Sequence, residues 1–159
     1  MNLWNMGPRS DRWKIFRLGA DAHAILRIDN KPQNVRGSGI VTIQERPDNP
    51  LPAIHLDLSQ LYPGLAQNVQ RTADLQQDRL RITDCVSGKK PGAKVQFQFL
   101  TQAKVKIITP ETIVLTQQKK RLQVTAPAGA VWQVLPVETL LKSFDTPFKK
   151  AVSRVSFSL

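Results

Sequence analysis

The chain has little of several residue types that mark well-known protein classes. Its 159 residues include one cysteine, two histidines, one tyrosine and three tryptophans. The lone Cys85 excludes an intramolecular disulfide, and because no histidine is near it in sequence we interpret it as a half-buried strand thiol rather than a nucleophile. No charged segment followed by an apolar core opens the chain, and no apolar run reaches the roughly 18 residues of a membrane span. We therefore expect no secretory signal, no transmembrane helix and, as written, a cytoplasmic product.

Acidic residues are also scarce. The 23 Lys and Arg against 12 Asp and Glu give a formal charge of +11, which favours an anionic partner: an acidic polysaccharide, a nucleic acid or an anionic membrane surface. Aromatic residues make up only 6% of the chain, and Phe97, Phe99 and Phe157 fall at inward positions of predicted strands. Few rings then remain for base stacking, so we expect no nucleic-acid partner.

Hydrophobic residues alternate with period two along almost the whole sequence, between short segments rich in Gly, Pro, Asn and Asp. This pattern predicts an all-β fold, an antiparallel β-sandwich of about a dozen short strands in a single domain over residues 1–159. A proline-rich loop is expected at 47–52 and a short helical turn or loop at 138–150. The predicted strands are 14–18, 23–29, 39–45, 54–59, 66–75, 78–86, 93–100, 104–108, 112–116, 121–125, 131–137 and 152–159.

One motif near the N-terminus is specific. It consists of Leu3-Trp4-Asn5-Met6-Gly7, Ser10-Asp11-Arg12-Trp13, Phe16-Arg17, His23-Ala24-Ile25-Leu26 and Gln33. This order of residues resembles the C-terminal β-sandwich of the heparinase II/III polysaccharide lyases. Weaker similarity follows in Ile54-His-Leu-Asp-Leu-Ser-Gln-Leu-Tyr62, in Arg71 and in Gln96-Phe-Gln-Phe-Leu-Thr-Gln-Ala103.

The resemblance implies that the chain is the C-terminal β-sandwich portion of a lyase that cleaves acidic, uronic-acid-containing glycans by β-elimination. It also implies that the first strands of the sandwich and the helical catalytic domain are missing, because the chain begins almost at the motif. Such elimination needs a base, an acid and neutralisation of the uronate, which the family supplies across two domains. We therefore expect no turnover by this chain alone. Family members typically reside in the periplasm or cell envelope.

The resemblance makes His23 the one candidate metal ligand. In the family the corresponding histidine binds zinc, but its Asn and Thr neighbours are Ala24 and Ile25 here, and the remaining ligands fall on strands that this chain does not contain. A zinc site needs three or four protein ligands. We therefore expect no cofactor in this chain alone, and His23 bonded to backbone at the start of a strand.

Basic residues form two candidate glycan contacts. Arg9, Arg12 and Arg17, with Lys14, crowd the opening motif, and Lys119, Lys120 and Arg121 occupy a predicted hairpin tip spanning 117–120. Guanidinium groups suit carboxylates and sulfates because they bind both oxygens at once. The alternative for the tip is a solvated turn that contributes only solubility.

Three further residues have structural explanations. His55 and Asp57 share one face of a predicted strand, as a proton-transfer pair or two metal ligands would, but a solvated outer face explains both. Tyr62 follows in a turn, and a tyrosine at such a position commonly covers the hydrophobic core with its ring.

Two functions remain open: the lyase portion described above, or a stand-alone, non-catalytic β-sandwich that binds anionic, heparan-sulfate-like polysaccharide. A sandwich that lacks strands should also expose a sheet edge able to associate.

Overall fold

The computed structural model describes residues 7, 10–46, 49–142, 145 and 147–159, without the side chains of 46, 49 and 50. It divides the chain into two compact units, residues 1–32 with 94–159 (unit 1) and residues 33–93 (unit 2). Within these residues every sheet is antiparallel, and the helical elements are five 3-10 turns, Asp11–Lys14, Phe16–Leu18, Ala20–Ala22, Ser59–Leu61 and Val137–Leu140. The strands are β1 (Ile25–Ile28), β2 (Lys31–Pro32), β3 (Ile40–Arg46), β4 (Asn49–Asp57), β5 (Asn68–Gln76), β6 (Arg79–Ser87), β7 (Val95–Thr101), β8 (Lys104–Thr109), β9 (Thr112–Gln117), β10 (Lys120–Thr125), β11 (Gln133–Pro136) and β12 (Ser153–Ser158).

Unit 1 is itself two sheets packed face to face. A five-stranded sheet in the order β11-β12-β7-β1-β2 faces a three-stranded sheet in the order β10-β9-β8. Alternate side chains of both sheets enter one core, as the period-two pattern requires. The core is formed by Ile113, Leu115, Ala126, Ala130, Trp132 and Val155, with Phe97, Phe99, Val105, Val124, Val134 and Phe157 packed against them. The all-β, antiparallel sandwich predicted from the sequence is therefore confirmed. The single domain stays a prediction.

The prediction of a strand at 14–18 is wrong. The segment forms consecutive 3-10 turns, which begin where the Ser10 hydroxyl accepts the backbone N–H of Arg12 at 3.3 Å. Phe16 and Ala20 are both buried, whereas Leu18, which would share their face in a strand, is only half-buried. Phe16 packs in a second cluster with Val137 and Val152. The turn Val137–Leu140 lies in the region where a helical turn or loop was predicted.

Unit 2 is one four-stranded sheet in the order β3-β4-β5-β6, a simple meander. The predicted hairpin at 66–86 is confirmed, with Gln76 paired to Arg79 across a two-residue turn. The predicted loop at 47–52 is only partly correct, because β4 begins at Asn49 and includes Pro50 and Pro52. That part of β4 pairs with β3 alone, and a proline is tolerated where only one side of a strand is in a ladder. Residues 47 and 48 lie outside the described residues.

Candidate anion-binding surface

His23 lies where the motif predicts it, directly before β1. It ends the turn Ala20–Ala22, its backbone N–H donates to the carbonyl of Ala20 at 3.1 Å, and its side chain is exposed. Among the described residues no three His, Cys, Asp or Glu side chains come together as a metal site. The role of His23 as a ligand stays a prediction, and any such site would need ligands from outside the described residues.

The basic residues of the opening motif contact their own unit. The guanidinium carbon of Arg12 lies 4.9 Å from the ring centroid of Trp13, and that of Arg17 lies 4.2 Å from the ring of Phe148. Arg17 also donates to the carbonyl of Pro147 at 2.8 Å. Such stacking orders a guanidinium group against an aromatic face. These arginines therefore have structural contacts in addition to any contact with a ligand. Arg9 lies outside the described residues.

Lys14 is engaged in a similar way. Its ammonium group lies 2.6 Å from the carboxylate of Asp11, and this pair lowers the pKa of Asp11, by hydrogen bonding first and by charge second. Both groups are solvent-exposed, so the pair contributes little to stability.

The predicted hairpin tip is confirmed. Gln117 pairs with Lys120, and Gln118 and Lys119 both have positive φ (49° and 66°), the backbone of a type I′ turn. The side chains of Lys119, Lys120 and Arg121 are exposed. Because successive strand residues point to opposite faces, Lys120 and Arg121 do not act on the same surface.

Arg121 instead shares the outer face of the three-stranded sheet with two lysines. Lys104 and Arg121 are both register partners of Thr116, and Lys106 lies two residues along β8 from Lys104. With strands about 4.8 Å apart and a rise of about 3.4 Å per residue, the Cα atoms of Lys104 and Arg121 are separated by about 10 Å and those of the two lysines by about 7 Å. We call this face, formed by residues 104, 106, 112, 114, 116, 121, 123 and 125, the basic face.

All three cations of the basic face are available to a ligand. Lys104, Lys106 and Arg121 are exposed, and in the part of the chain that the structure describes no carboxylate forms an ion pair with them. Around them Thr116, Gln123 and other polar side chains offer neutral hydrogen-bonding groups. The arrangement can bind carboxylate or sulfate by charge and sugar hydroxyls by hydrogen bonds.

A second pair of guanidinium groups is less accessible. Arg27 and Arg154 lie on the other surface of unit 1, the outer face of the five-stranded sheet, and Arg27 forms an ion pair with Asp21. Burial first, and the nearby charge of Arg27 second, lower the pKa of Arg154, while Asp21 opposes them. Buried Gln98 lies between the two and donates to the carbonyl of Asp21 at 2.9 Å. These groups are part of the internal packing.

Positive charge is concentrated in unit 1. Its residues include 16 Lys and Arg against 6 Asp and Glu, a difference of +10, whereas unit 2 has 7 against 6, a difference of +1, and the two account for the total of +11. A polyanion would therefore be attracted to unit 1. Lys104 and Lys106 were not predicted as contacts from the sequence, although Lys-Val-Lys at 104–106 in a predicted strand already places both on one face.

The polar residues of unit 2 have structural partners. The ring of His55 lies between the Thr72 hydroxyl, 3.1 Å from Nδ1, and Gln44 Oε1, 2.8 Å from Nε2. Asp57 shares its face two residues on, as predicted, and accepts both the N–H and the hydroxyl of Ser59, which lowers the pKa of Asp57. This explains both residues as an ordered polar surface.

Tyr62 is fully buried, as expected of a ring that caps a core. Cys85 lies in β6, as predicted, but the prediction that it is half-buried is wrong. It is exposed because it lies on the polar face of the sheet, paired with Gln70 on β5.

The chain matches no protein-family model, and a comparison with curated proteins gives no match either. Among the described residues no helix is both long and apolar enough to cross a membrane.

Proposed function

We propose that this chain is a β-sandwich module that binds anionic polysaccharide through the basic face of unit 1. The observation that carries the proposal is the register of β8, β9 and β10, which places Lys104, Lys106 and Arg121 on one exposed face. Charge concentrated in unit 1 supports it, because the same region that carries the three cations also has the net charge that attracts a polyanion.

The chemistry of the basic face favours an acidic glycan over a nucleic acid. Arg121 can bind a carboxylate or sulfate through two parallel hydrogen bonds, whereas each lysine acts as a point charge. The threonines and Gln123 suit the hydroxyl groups of a sugar. None of the eight residues of the basic face, all of them described, is aromatic, so the face offers no platform on which a base could stack.

Binding of this kind should be weak and salt-sensitive. Individual exposed ion pairs contribute about 0.2–1 kcal/mol each, so three of them change an affinity by roughly 3-fold to 100-fold. The Debye length is about 10 Å at 0.1 M salt, the same scale as the separation of the cations, so added salt should screen the attraction.

Retention on heparin resin tests the proposal. We expect the triple variant Lys104→Ala, Lys106→Ala, Arg121→Ala to elute at clearly lower salt than the unmodified chain. A matched control, Lys31→Ala, Lys149→Ala, Lys150→Ala, removes three exposed charges elsewhere in unit 1 and should shift elution less. A third variant, Lys119→Ala, Lys120→Ala, isolates the hairpin tip. Equal elution of the first variant and the control would refute the basic face as the binding surface.

We further propose that the module belongs to a heparinase II/III-like lyase, as the motif at residues 3–33 suggests. The observation that favours this is the position of His23, exposed and directly before β1, where the resemblance places a metal ligand. We expect the chain alone, incubated with heparan sulfate, to produce no unsaturated uronate absorbance. Turnover that zinc increases and His23→Ala abolishes would show instead that this chain is catalytic.

A further inference from the structure

The four-stranded sheet of unit 2 has one apolar face and one polar face. Residues paired across the strands share a face, so Ile43, Ile54, Ala73 and Ile82 form one row, and Leu75 and Leu80 form the next. Val41 is on the same face of β3, two residues from Ile43. The opposite face has the row Thr42, His55, Thr72 and Thr83. An antiparallel sheet of this pattern normally packs its apolar face on another layer.

Much of the apolar face is exposed. The exposed fractions are 62% for Val41, 65% for Ile43, 38% for Ile54, 44% for Leu75, 58% for Leu80 and 46% for Ile82. The same face ends in closely packed residues, since Val69 is fully buried and the side chains of Arg71 and Asp84 form an ion pair at 2.6 Å with only 12% and 18% exposed. Because the six exposed aliphatic residues fall in adjacent rows of one face, they form one continuous patch, which we call the apolar patch, and not a scatter of single side chains.

The area of the apolar patch is close to what a stable dimer needs. Six aliphatic side chains with these exposures present on the order of 600 Å², the upper end of the largest patch on a typical monomer. Standard interfaces bury about 800 Å² per partner, so the patch itself would supply most of one side of such an interface. Twofold pairing places the same patch on both sides of an interface and closes the assembly at two copies.

Charge also permits a second copy here. Unit 2 has a net charge of only +1, whereas unit 1 has +10. Two copies that contact each other through their unit 2 sheets therefore experience little charge repulsion at the interface. We propose that the apolar patch packs against the apolar patch of a second copy of this chain, as two sheets stacked face to face. This interface is a sheet face, and differs from the sheet-edge association expected from the sequence.

The oligomeric state tests the proposal. Sedimentation velocity over a concentration series should show a monomer–dimer equilibrium for the unmodified chain. The variant Ile43→Lys, Ile82→Lys places charges at the two ends of one row of the patch and should raise the dissociation constant at least 100-fold. Its matched control, Thr42→Lys, Thr83→Lys, adds the same charges to the same two strands on the polar face and should dimerise like the unmodified chain.

A mixing experiment separates loss of the interface from loss of the fold. The variant Ile43→Glu, Ile82→Glu should also be monomeric alone, but an equimolar mixture of the lysine and glutamate variants should form heterodimers, which unfolded chains would not do. A strictly monomeric unmodified chain would overturn the proposal. So would dimers that persist in the lysine variant, an open-ended series of larger species, or a mixture of the two variants that stays monomeric.

Discussion

The side chain of Trp132 joins the two sheets of unit 1, and its removal is the sharpest test of the sandwich. Trp132 is only 3% exposed, and its ring meets Phe157 at 4.9 Å and Phe99 at 6.1 Å, both nearly edge-to-face. Its indole N–H donates to the carbonyl of Glu111 at 2.7 Å. One residue thus supplies apolar area, two aromatic contacts and a hydrogen bond to the loop before β9.

Two substitutions separate the loss of unfolding free energy due to the ring from the loss due to the hydrogen bond. Trp132→Ala should destabilise unit 1 by about 4 kcal/mol, since Trp→Ala changes in cores typically cost about 3–5 kcal/mol. For a unit of roughly 100 residues that corresponds to a fall in Tm of about 20 °C. Trp132→Phe keeps a ring but removes the indole donor. The Glu111 carbonyl still accepts the backbone N–H of Ala126 at 2.8 Å, so we expect a loss of about 0.5–1.5 kcal/mol for the one hydrogen bond.

Urea and thermal unfolding measured by far-UV circular dichroism would check these values, because fluorescence would change with the loss of the tryptophan itself. Trp13→Phe is the matched control: Trp13 is half-buried and its indole N–H also donates to a carbonyl, that of Gly7 at 3.1 Å. It should cost less than about 1 kcal/mol, as substitutions outside cores usually do. If Trp132→Ala lowers the Tm by less than about 5 °C, the packing of the two sheets described above is contradicted, because a loss of about 4 kcal/mol should lower the Tm far more.

Further predictions concern unit 2. Ser59→Ala removes the hydroxyl hydrogen bond that helps hold the pKa of Asp57 below 3.8 but keeps the backbone N–H of residue 59, so this pKa should rise part of the way toward 3.8 in a carboxyl-carbon NMR titration; an unchanged value would exclude the Ser59 hydroxyl as a cause. Because the pKa is lowered in the folded state, the stabilisation from Asp57 is present above about pH 4 and is lost as the pH falls through the folded-state pKa, and Ser59→Ala should reduce this loss. Gly88→Ala should destabilise more than Gly92→Ala in urea unfolding: both glycines have positive φ, but an added Cβ at Gly88 would lie 2.5 Å from Gln67 and one at Gly92 would meet nothing within 4 Å. Equal losses for the two would contradict the close approach at Gly88. Arg71→Lys should cost about 1–3 kcal/mol because lysine cannot keep both hydrogen bonds to Asp84, whereas Arg79→Lys, in an exposed pair, should change stability little.

The sequence predicted the strands well where alternation was strong and the turn chemistry was local. The hairpin tip at 117–120 and the hairpin at 66–86 follow from such patterns, and both are confirmed. The 3-10 turns at 11–22 were missed because apolar residues at 16 and 18 imitate alternation, while the burial of Phe16 against Val137 and Val152 is tertiary packing that the local sequence does not show.

The basic face could be only half predicted. Arg121 was identified from the run of three cations at 119–121, but Lys104 joins it only through the shared partner Thr116 on β9. Alternation gives the face of each strand and leaves the register between strands open, so a surface built from three strands needs the structure. The same holds for the apolar patch, whose residues come from all four strands of unit 2.

The chain path through unit 1 has a consequence for how this protein can be rearranged. The polypeptide leaves that unit after Pro32 and re-enters it at Lys94, and Ile28 and Val95 are direct partners in the ladder between β1 and β7. Residues 33–93 are thus an insertion between two points of one sheet, Pro32 on β2 and Lys94 just before β7, with only β1 between those two strands. Replacing them by a linker of a few residues would lower the entropic free-energy cost of closing this loop by about 2 kcal/mol. Unit 1 with its two sheets, freed of residues 33–93, is therefore a reasonable target for engineering. Insertions of other lengths at the same junction would leave its β1–β7 ladder in place.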